Sequence, residues 1–413
     1  PFIVHSKSQL KRRHPNWLLR NHLGQPVNAG FGWSNFSTAL DLTQPDALDY
    51  ATEVVHTAIH EWGYQFLKLD WLYAAAVKCR YHDRTKTRAQ VLRMGLETLR
   101  EAAGPDIHLL GCAAPLGTSI GIFDSMRIGA DVDSSWMPSF LGIQFPFKKE
   151  YSMPSIRNAI QNTLTRAPLH QRWWINDPDC LLVRSDSSLT LPEVQTLASI
   201  IAFSGGPLLI SDDLQQLQPE RLQIAEQLVP LIGQRPRVLD WFDTASPRLL
   251  RLDLENTTGK WYLLAVFNWE DEHQEISLPL EKFDLPKGKY FAREFWSGDT
   301  FQISDGMLTI EHIPAHGVQL LALRPYQTEQ ACYLGSSLHI SQGMEVAQWS
   351  GTASNISFRL ERPGKAQGHI DLYSPHHLKS IKINQEEIEW RADDKDIYRL
   401  QVQFEHTAEI IIN

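Results

Sequence analysis

The stretch FLKLDWLYAAA, residues 66–76, places a lysine and an aspartate two positions apart in a run that is otherwise apolar and aromatic. Such a run is typical of a buried β-strand. Successive side chains of a strand point to opposite faces, so Lys68 and Asp70 share one face. An unpaired buried charge is costly. The stretch therefore predicts a strand of a parallel sheet that ends either in a polar functional site or in a Lys68–Asp70 ion pair.

Similar runs recur along residues 1–233, separated by amphipathic segments of helical length that begin near proline and end at glycine. The runs are PFIV (1–4), TALDL (38–42), YQFLKLDWL (64–72), IHLLGC (107–112), DSMRIGA (124–130), RWWIND (172–177) and GPLLIS (206–211). This alternation is typical of a closed (β/α)8 barrel or a doubly wound sheet, and seven runs are one short of a complete barrel. Polar residues follow several runs, at the carboxyl ends where barrel active sites form.

The pattern changes to short alternating strands after residue 233, which predicts antiparallel β structure. We expect one antiparallel β-sandwich over residues 234–325 and an additional β-sandwich module over residues 326–413. The predicted fold class is therefore α/β plus all-β: a TIM-type barrel over residues 1–233, followed by two β-sandwich domains.

The composition of the chain limits the binding partners and the cellular compartment that we expect. The net charge of -9 argues against a nucleic-acid or anionic-membrane surface, because phosphate binding needs clustered lysine and arginine. The four cysteines form no CxxC pair, and no signal peptide or membrane-spanning run is present, so a cytoplasmic protein is expected. The sequence leaves homo-oligomerisation open.

A second group of carboxylates lies in MRIGADVDSSW, residues 126–136. Two carboxylates at strand ends are what glycoside hydrolysis requires, and Asp70 and Asp131 fit that need. For Asp133 a turn or helix cap is favoured, and pairing between Arg127 and Asp131 remains an alternative for Asp131.

Two other acidic groups are expected to be structural. The residues Asn176, Asp177 and Asp179 follow the run RWWIND, where the sequence DPD is typical of a turn. At least one of Asp212 and Asp213 is expected to cap a helix.

No cofactor or metal is predicted. The 16 histidines include no HxH or HExxH pattern, so a catalytic zinc site has no ligand set. The nucleotide-binding patterns GxGxxG and GxxxxGKS are missing, as is the GxSxG pattern of serine hydrolases.

Four motifs together resemble the catalytic barrel of glycoside hydrolase family 36, the α-galactosidases. In chain order they are FLKLDWLYAAA, LLGCAAPLG, MRIGADVDSSW and WWINDPDCLLVR. The resemblance covers about the first 230 residues. It implies a retaining α-galactosidase that releases terminal α-linked galactose from oligosaccharides by double displacement.

The resemblance also implies residue roles. Asp70 corresponds to the catalytic nucleophile, and Asp131 corresponds to the general acid/base. A retaining pair of this kind predicts carboxyl groups roughly 5 to 5.5 Å apart.

Further residues are implied in substrate binding. Lys68 corresponds to a residue that binds sugar hydroxyls, and Arg127 contacts the substrate on the nucleophile side. Cys112 corresponds to a residue near the sugar 2-position, with a small buried thiol as the alternative. Trp71 and Trp136 complete the expected substrate-binding set.

The chain also departs from the family pattern. It begins without methionine, PFIV reads as the tail of the second barrel strand, and the expected N-terminal β-sandwich and first barrel strand have no counterpart. We therefore expect a barrel that is incomplete at its N-terminus and an impaired activity. The alternatives are another α-glycosidase or a transglycosylase of the same barrel, or a non-catalytic carbohydrate-binding protein.

Overall fold

The computed structural model describes residues 2–32, 35–140, 143–144, 151–351, 355–393 and 396–413. The chain divides into two compact units. The first comprises Pro1–Ile128 and Leu169–Asp177, and the second comprises Gly129–Pro168 and Pro178–Asn413. The division falls inside the predicted barrel region, and the predicted domain boundaries at 233 and 325 remain predictions.

The first unit contains a three-stranded antiparallel sheet formed by Ile3–His5, Asn35–Ala39 and Gly30–Gly32, in that spatial order. Ile3 lies opposite Ala39. The runs PFIV and TALDL were predicted as parallel barrel strands, and for these two the prediction is wrong. A short apolar run has the same sequence pattern whether its strand pairs in parallel or antiparallel. The direction of pairing depends on how the connecting chain leads from one strand to the next.

The first unit also contains a four-stranded parallel sheet. Its strands, in spatial order, are Phe66–Leu69, His108–Gly111, Ser125–Arg127 and Ile175–Asp177. All four lie within predicted runs. The described residues do not form a single sheet of eight parallel strands.

Two long helices of the first unit confirm the predicted start and stop signals. Pro45–His56 begins at a proline and continues as a π-helical turn over Thr57–Glu61 before Gly63. Arg88–Ala103 begins after Thr87, which forms a capping box with Gln90. It ends at Gly104, whose φ of 76° suits glycine.

The second unit combines helices with a short parallel pair of strands. Cys180–Leu181 and Leu209–Ile210 pair in parallel, and Ser139–Phe140 pairs with Ile143–Gln144 in an antiparallel hairpin. The α-helices of this unit are Ile156–Arg166, Leu191–Ser204 and Pro219–Glu226. The short helix Leu116–Ser119 belongs to the first unit.

Antiparallel β structure makes up the rest of the second unit, as predicted from residue 234 onward. A six-stranded sheet has the spatial order Arg237–Val238, Leu249–Asn256, Gly259–Phe267, Val318–Pro325, Tyr290–Glu294 and Thr300–Ile303. A separate pair consists of Gln274–Pro279 and Met307–Ile313.

The last module is built on two long strands, Ile356–Tyr373 and Ile397–Ile412, which pair along most of their length. Five shorter strands complete its seven-stranded sheet: Cys332–Ser336, Val346–Gly351, Ile381–Ile383, Glu386–Glu387 and Trp390–Ala392. None of the described helices is both long and apolar enough to span a membrane.

Candidate active site

The parallel sheet of the first unit collects polar side chains at its carboxyl edge. Residues that lie opposite each other in parallel strands project from the same face. Leu69 lies opposite Gly111, and Gly111 lies opposite Met126. The residues that follow these three, Asp70, Cys112 and Arg127, therefore form one row, which Asp177 extends opposite Arg127. The site residues predicted from three different motifs therefore come together on one face of one sheet.

The strand Phe66–Leu69 is only half-buried. Leu69 is buried and Leu67 packs against the apolar core, whereas Lys68 and Asp70 are exposed. The sequence had suggested that both charges are buried, and this part of the prediction is wrong. In the described part of the chain Lys68 and Asp70 form no ion pair with each other, so the two charges are left to line a polar surface.

Asp70 marks a sharp change of chain direction. The Trp71 backbone N–H donates to the Asp70 Oδ1 at 2.6 Å, and Trp71 itself has a φ of 57°. A bulky residue in the left-handed region is unusual and is often associated with a functional site. The Trp71 ring lies 6.0 Å from the Tyr73 ring, and the Tyr73 hydroxyl donates to the Ala29 carbonyl at 2.8 Å. The turn thus places an aromatic pair beside the carboxylate.

Cys112 is 4% exposed, and the Asp70 carboxylate is near enough to influence the pKa of its thiol. Burial raises the pKa of the Cys112 thiol to about 12; Arg127 opposes this rise and Asp70 adds to it. The thiol is therefore protonated at neutral pH and offers the site a hydrogen-bond donor without a charge. Lys68 also lowers the pKa of the thiol, which agrees with its place on the same sheet face as Asp70 and Cys112.

Arg127 is held by a buried ion pair. Its Nε donates to the Asp177 Oδ2 at 3.1 Å, and the two side chains are 4% and 0% exposed. Because both charges are removed from water, their geometry has to be well defined for the pair to be tolerated. Asp177 therefore fixes the guanidinium of Arg127 in the row.

Asp131 lies in the second unit, in a segment without helix or strand, and it is exposed, whereas residues 126–128 of its motif belong to the first unit. The Asp131 carbonyl accepts from the Ser155 N–H at 3.1 Å, and the next N–H, of Val132, donates to the Asp179 Oδ2 at 2.8 Å. Asp133 accepts from the Ser134 N–H at 2.7 Å, which is the local turn role expected for it. The backbone around Asp131 is thus well anchored.

The remaining acidic residues have structural roles, as expected. Asp213 caps the short helix Leu214–Gln216 by accepting from the Gln215 N–H at 3.1 Å. Asp212 accepts from the N–H groups of Val183 and Arg184 at 2.6 and 3.0 Å.

Trp136 lies in the core of the second unit and is 6% exposed. Its ring stacks on His316 with centroids 4.4 Å apart and an interplanar angle of 15°. A substrate contact by Trp136 remains a prediction, and this packing favours a structural role.

Sequence reasoning missed the contribution of Asp177 and Tyr73 to the site. Asp177 was assigned only to turn chemistry, although its position at the end of a strand run was a usable signal. The described residues contain no group of three or more histidine, cysteine or acidic side chains that could hold a metal ion.

The chain is similar to known alpha-galactosidases. Residues 253–323 match the family model of the alpha galactosidase C-terminal beta sandwich domain. Alpha-galactosidase D of Emericella nidulans is 26% identical over 288 residues, which are 66% of this chain and 40% of that protein. The chain thus spans well under half the length of this curated relative.

Solved structures of alpha-galactosidases are also similar. One from Thermus thermophilus, in complex with p-nitrophenyl alpha-D-galactopyranoside, is 31% identical with a TM-score of 0.49, over 61% of this chain and 48% of that chain. Alpha-galactosidase I of Mortierella vinacea is 17% identical with a TM-score of 0.50, over 67% and 72% of the two chains. The second likeness concerns the fold, a TIM-barrel glycosidase with a C-terminal β domain. The chain is therefore homologous to alpha-galactosidases, and its residues 253–323 correspond to their C-terminal β-sandwich.

Proposed function

We propose that this protein is a retaining α-galactosidase of glycoside hydrolase family 36, which releases terminal α-linked galactose from oligosaccharides. The observation that carries the proposal is the row of Asp70, Cys112 and Arg127, with Lys68 on the same sheet face, in a chain homologous to alpha-galactosidases. A carboxylate on a sheet face that also carries two cationic side chains and a thiol donor suits a reaction in which positive charge develops on a sugar ring.

The proposed reaction has two steps. In the first, the Asp70 carboxylate attacks the anomeric carbon, the bond to the glycosidic oxygen breaks, and Asp131 gives its proton to the departing oxygen. In the second, Asp131 takes a proton from water, the water oxygen attacks the anomeric carbon, and Asp70 is released. Galactose leaves with its original anomeric configuration.

The other side chains of the row would bind and orient the sugar. Lys68 and Arg127 offer donors to hydroxyls, and Asp177 keeps Arg127 in place. The protonated Cys112 thiol adds a hydrogen-bond donor to the same row as Asp70. The aromatic ring of Trp71 presents an apolar surface beside Asp70, which suits the CH face of a sugar.

The test uses p-nitrophenyl α-galactoside with the wild type, Asp70→Ala and Asp131→Ala. We expect Asp70→Ala to lose turnover and Asp131→Ala to lose roughly 10²–10⁴-fold. Added azide should restore turnover by both variants, and each variant should form a different product. In Asp70→Ala it replaces the nucleophile and yields the β-galactosyl azide, whereas in Asp131→Ala it attacks the covalent intermediate and yields the α-galactosyl azide.

Asp133→Ala is the matched control, because Asp133 lies in the same motif and only hydrogen-bonds locally. It should retain activity within a few-fold. Hydrolysis by Asp70→Ala at the wild-type rate without azide, or the same azide product from both variants, would exclude the assigned roles. No turnover by the wild type would contradict the hydrolase itself.

A further inference from the structure

A groove of about 1380 Å³ opens in the second unit, formed entirely by residues of that unit. One wall is the helix Pro219–Glu226, and another is the turn that follows the strand Tyr290–Glu294. The third wall is one face of the two long strands Ile356–Tyr373 and Ile397–Ile412. The volume exceeds the roughly 300–1,000 Å³ of sites for small molecules, so the groove has room for an extended ligand.

The long strands present cross-strand pairs of polar side chains to this groove. The pairs are Lys365 with Glu405, Gln367 with Gln403, and His369 with Gln401. Val402, which lies between Gln401 and Gln403, points to the other face and packs in the core of the module. The polar side chains are therefore held at regular spacing by a rigid sheet and do not depend on a loop for their position.

Amide side chains recur on this surface. Gln367, Gln401 and Gln403 are exposed, and Gln223 adds a further exposed amide from the helix wall. Each amide carries both donors and an acceptor, and a sugar hydroxyl likewise donates and accepts. The groove thus matches the hydrogen bonding of a polyhydroxylated ligand.

An aromatic ring stands at the same groove. Trp296 is half-buried, and its indole Nε1 donates to the Ser199 Oγ at 3.1 Å, which fixes the ring. A fixed aromatic surface beside hydroxyl-binding groups offers contacts for both the polar and the apolar sides of a sugar ring.

The charges of the lining are mixed. The carboxylates of Glu220, Glu226 and Glu405 stand against the cations of Arg362 and Lys365. Burial, with Arg293 nearby, lowers the pKa of His369 to about 4, so this histidine is neutral at physiological pH. A lining with three carboxylates does not suit a polyanion, and a neutral ligand fits better.

Arg362 adds an incompletely used donor to the lining. It is 7% exposed, and its Nη2 donates to the Glu226 carbonyl at 2.7 Å. Its Nη1 has no hydrogen-bond partner among the residues that the structure describes. A buried donor without an acceptor is costly, which gives a ligand hydroxyl that reaches this wall an added stabilisation.

We infer that this groove binds a neutral polysaccharide chain, several sugar units long, as a carbohydrate-binding site in addition to the proposed hydrolytic activity. Its main contacts are the amides Gln367, Gln401 and Gln403 and the ring of Trp296. The site would hold the protein on a polymeric carbohydrate.

The experiment is native gel electrophoresis in gels that contain galactomannan, with heparin as an anionic comparison. All proteins carry Asp70→Ala so that the polymer is not consumed. The test variant adds Gln401→Ala and Gln403→Ala, and the matched control adds Gln302→Ala, an exposed strand glutamine outside the groove. We expect galactomannan to retard the Asp70→Ala protein and the Gln302 control equally. Removal of two amides should weaken binding by about tenfold.

Equal retardation of the test variant and the control would overturn the proposal, as would retardation by heparin without retardation by galactomannan. The three glutamines are exposed, so melting curves should coincide and show that folding is unchanged. The choice of galactomannan rests on the proposed function, but the outcomes are separable. If galactomannan retards the protein but the wild type hydrolyses no substrate, the binding groove is supported and the proposed hydrolase activity is contradicted. If the wild type hydrolyses substrate but galactomannan causes no retardation, the hydrolase activity is supported and the binding groove is contradicted.

Discussion

Arg127 depends on Asp177 for its position, although 49 residues separate them in the chain. Both side chains are almost completely buried, and the Nε to Oδ2 distance is 3.1 Å. A buried pair contributes little net stability compared with apolar residues of the same size, yet loss of one partner leaves an uncompensated charge. The pair therefore makes the carboxyl edge of the sheet sensitive to single substitutions.

We predict that Asp177→Asn lowers the free energy of unfolding by about 3–5 kcal/mol, because it removes the negative charge from an ion pair in which both side chains are buried. The measurement is urea denaturation followed by circular dichroism. The double variant Arg127→Met with Asp177→Leu should recover most of the lost stability, since no buried charge remains.

The control for this prediction is Glu281→Gln, which removes a pair with Lys287 at 3.9 Å between highly exposed side chains. It should leave the denaturation midpoint nearly unchanged. If Asp177→Asn had as small an effect as Glu281→Gln, the pair would not hold Arg127.

The polar residues of the row could be predicted from sequence because strand alternation and strand ends are local properties. The roles of Cys112 and Arg127 were implied by the resemblance to a known family, and only Lys68 and Asp70 were singled out in this way. Their exposure could not be predicted, because it depends on what packs against the open face of the strand Phe66–Leu69. The function of Asp177 was missed for the same reason: its partner lies on another strand.

At the scale of elements, the start of the helix Leu191–Ser204 is held by an acid and a histidine. Glu193 closes a capping box with Thr190 and lies 2.7 Å from the Nδ1 of His316. Burial works to raise the pKa of Glu193, but hydrogen bonds from His316 and Thr190 outweigh burial and lower it. Burial works to lower the pKa of His316, but hydrogen bonds to Glu193 and Asp271 outweigh it and the pKa is raised.

These shifts predict a stability contribution that depends on pH. The raised pKa of His316 stabilises the fold fully below its ordinary value of 6.5, and this contribution is lost as pH rises through the folded pKa. The lowered pKa of Glu193 stabilises the fold above 4.5, and this contribution is lost as pH falls through the folded pKa. Both contributions are present together between pH 4.5 and 6.5.

We predict that His316→Phe, which keeps a ring against Trp136, melts below the wild type by the widest margin near about pH 5.5. The margin should narrow as pH rises through the folded pKa of His316, because the wild type then loses the charge that the variant lacks. Thermal melting across this range is the measurement. The exposed His376→Phe should show no such trend, and a margin that is constant with pH would mean that only packing is lost.

At the scale of the molecule, a buried charge network joins the two β modules of the second unit. Arg293 of the strand Tyr290–Glu294 donates to the Asp371 Oδ2 at 2.6 Å and to the Gln342 Oε1 at 2.8 Å. Arg399 donates to the other oxygen of Asp371 at 2.6 Å. One carboxylate of the last module thus compensates two guanidinium groups.

We predict that Asp371→Ala weakens the docking of the last module on the preceding β-sandwich, because Arg293 is left buried without its countercharge. A specific protease site inserted into the exposed segment 327–330 allows the connection to be cut. After cleavage the two pieces of the otherwise unaltered protein should elute together on size exclusion, and those of Asp371→Ala should elute apart.

Asp305→Ala, a change at an exposed aspartate, is the matched control and should behave like the parent. Joint elution of the cleaved Asp371→Ala protein would show that apolar contacts suffice. Those contacts come from a small cluster that includes Phe291, Leu334 and Tyr373.

The sequence by itself determined which segments form strands and helices and which strand ends carry charge, because these follow from local periodicity and from residue chemistry. The tertiary structure decided the rest. It paired Ile3–His5 with Asn35–Ala39 in an antiparallel sheet, left Lys68 and Asp70 exposed, and joined Arg127 to Asp177. Each of these depends on residues distant in the chain, whose approach is set by packing of the whole unit and leaves no local pattern in the sequence.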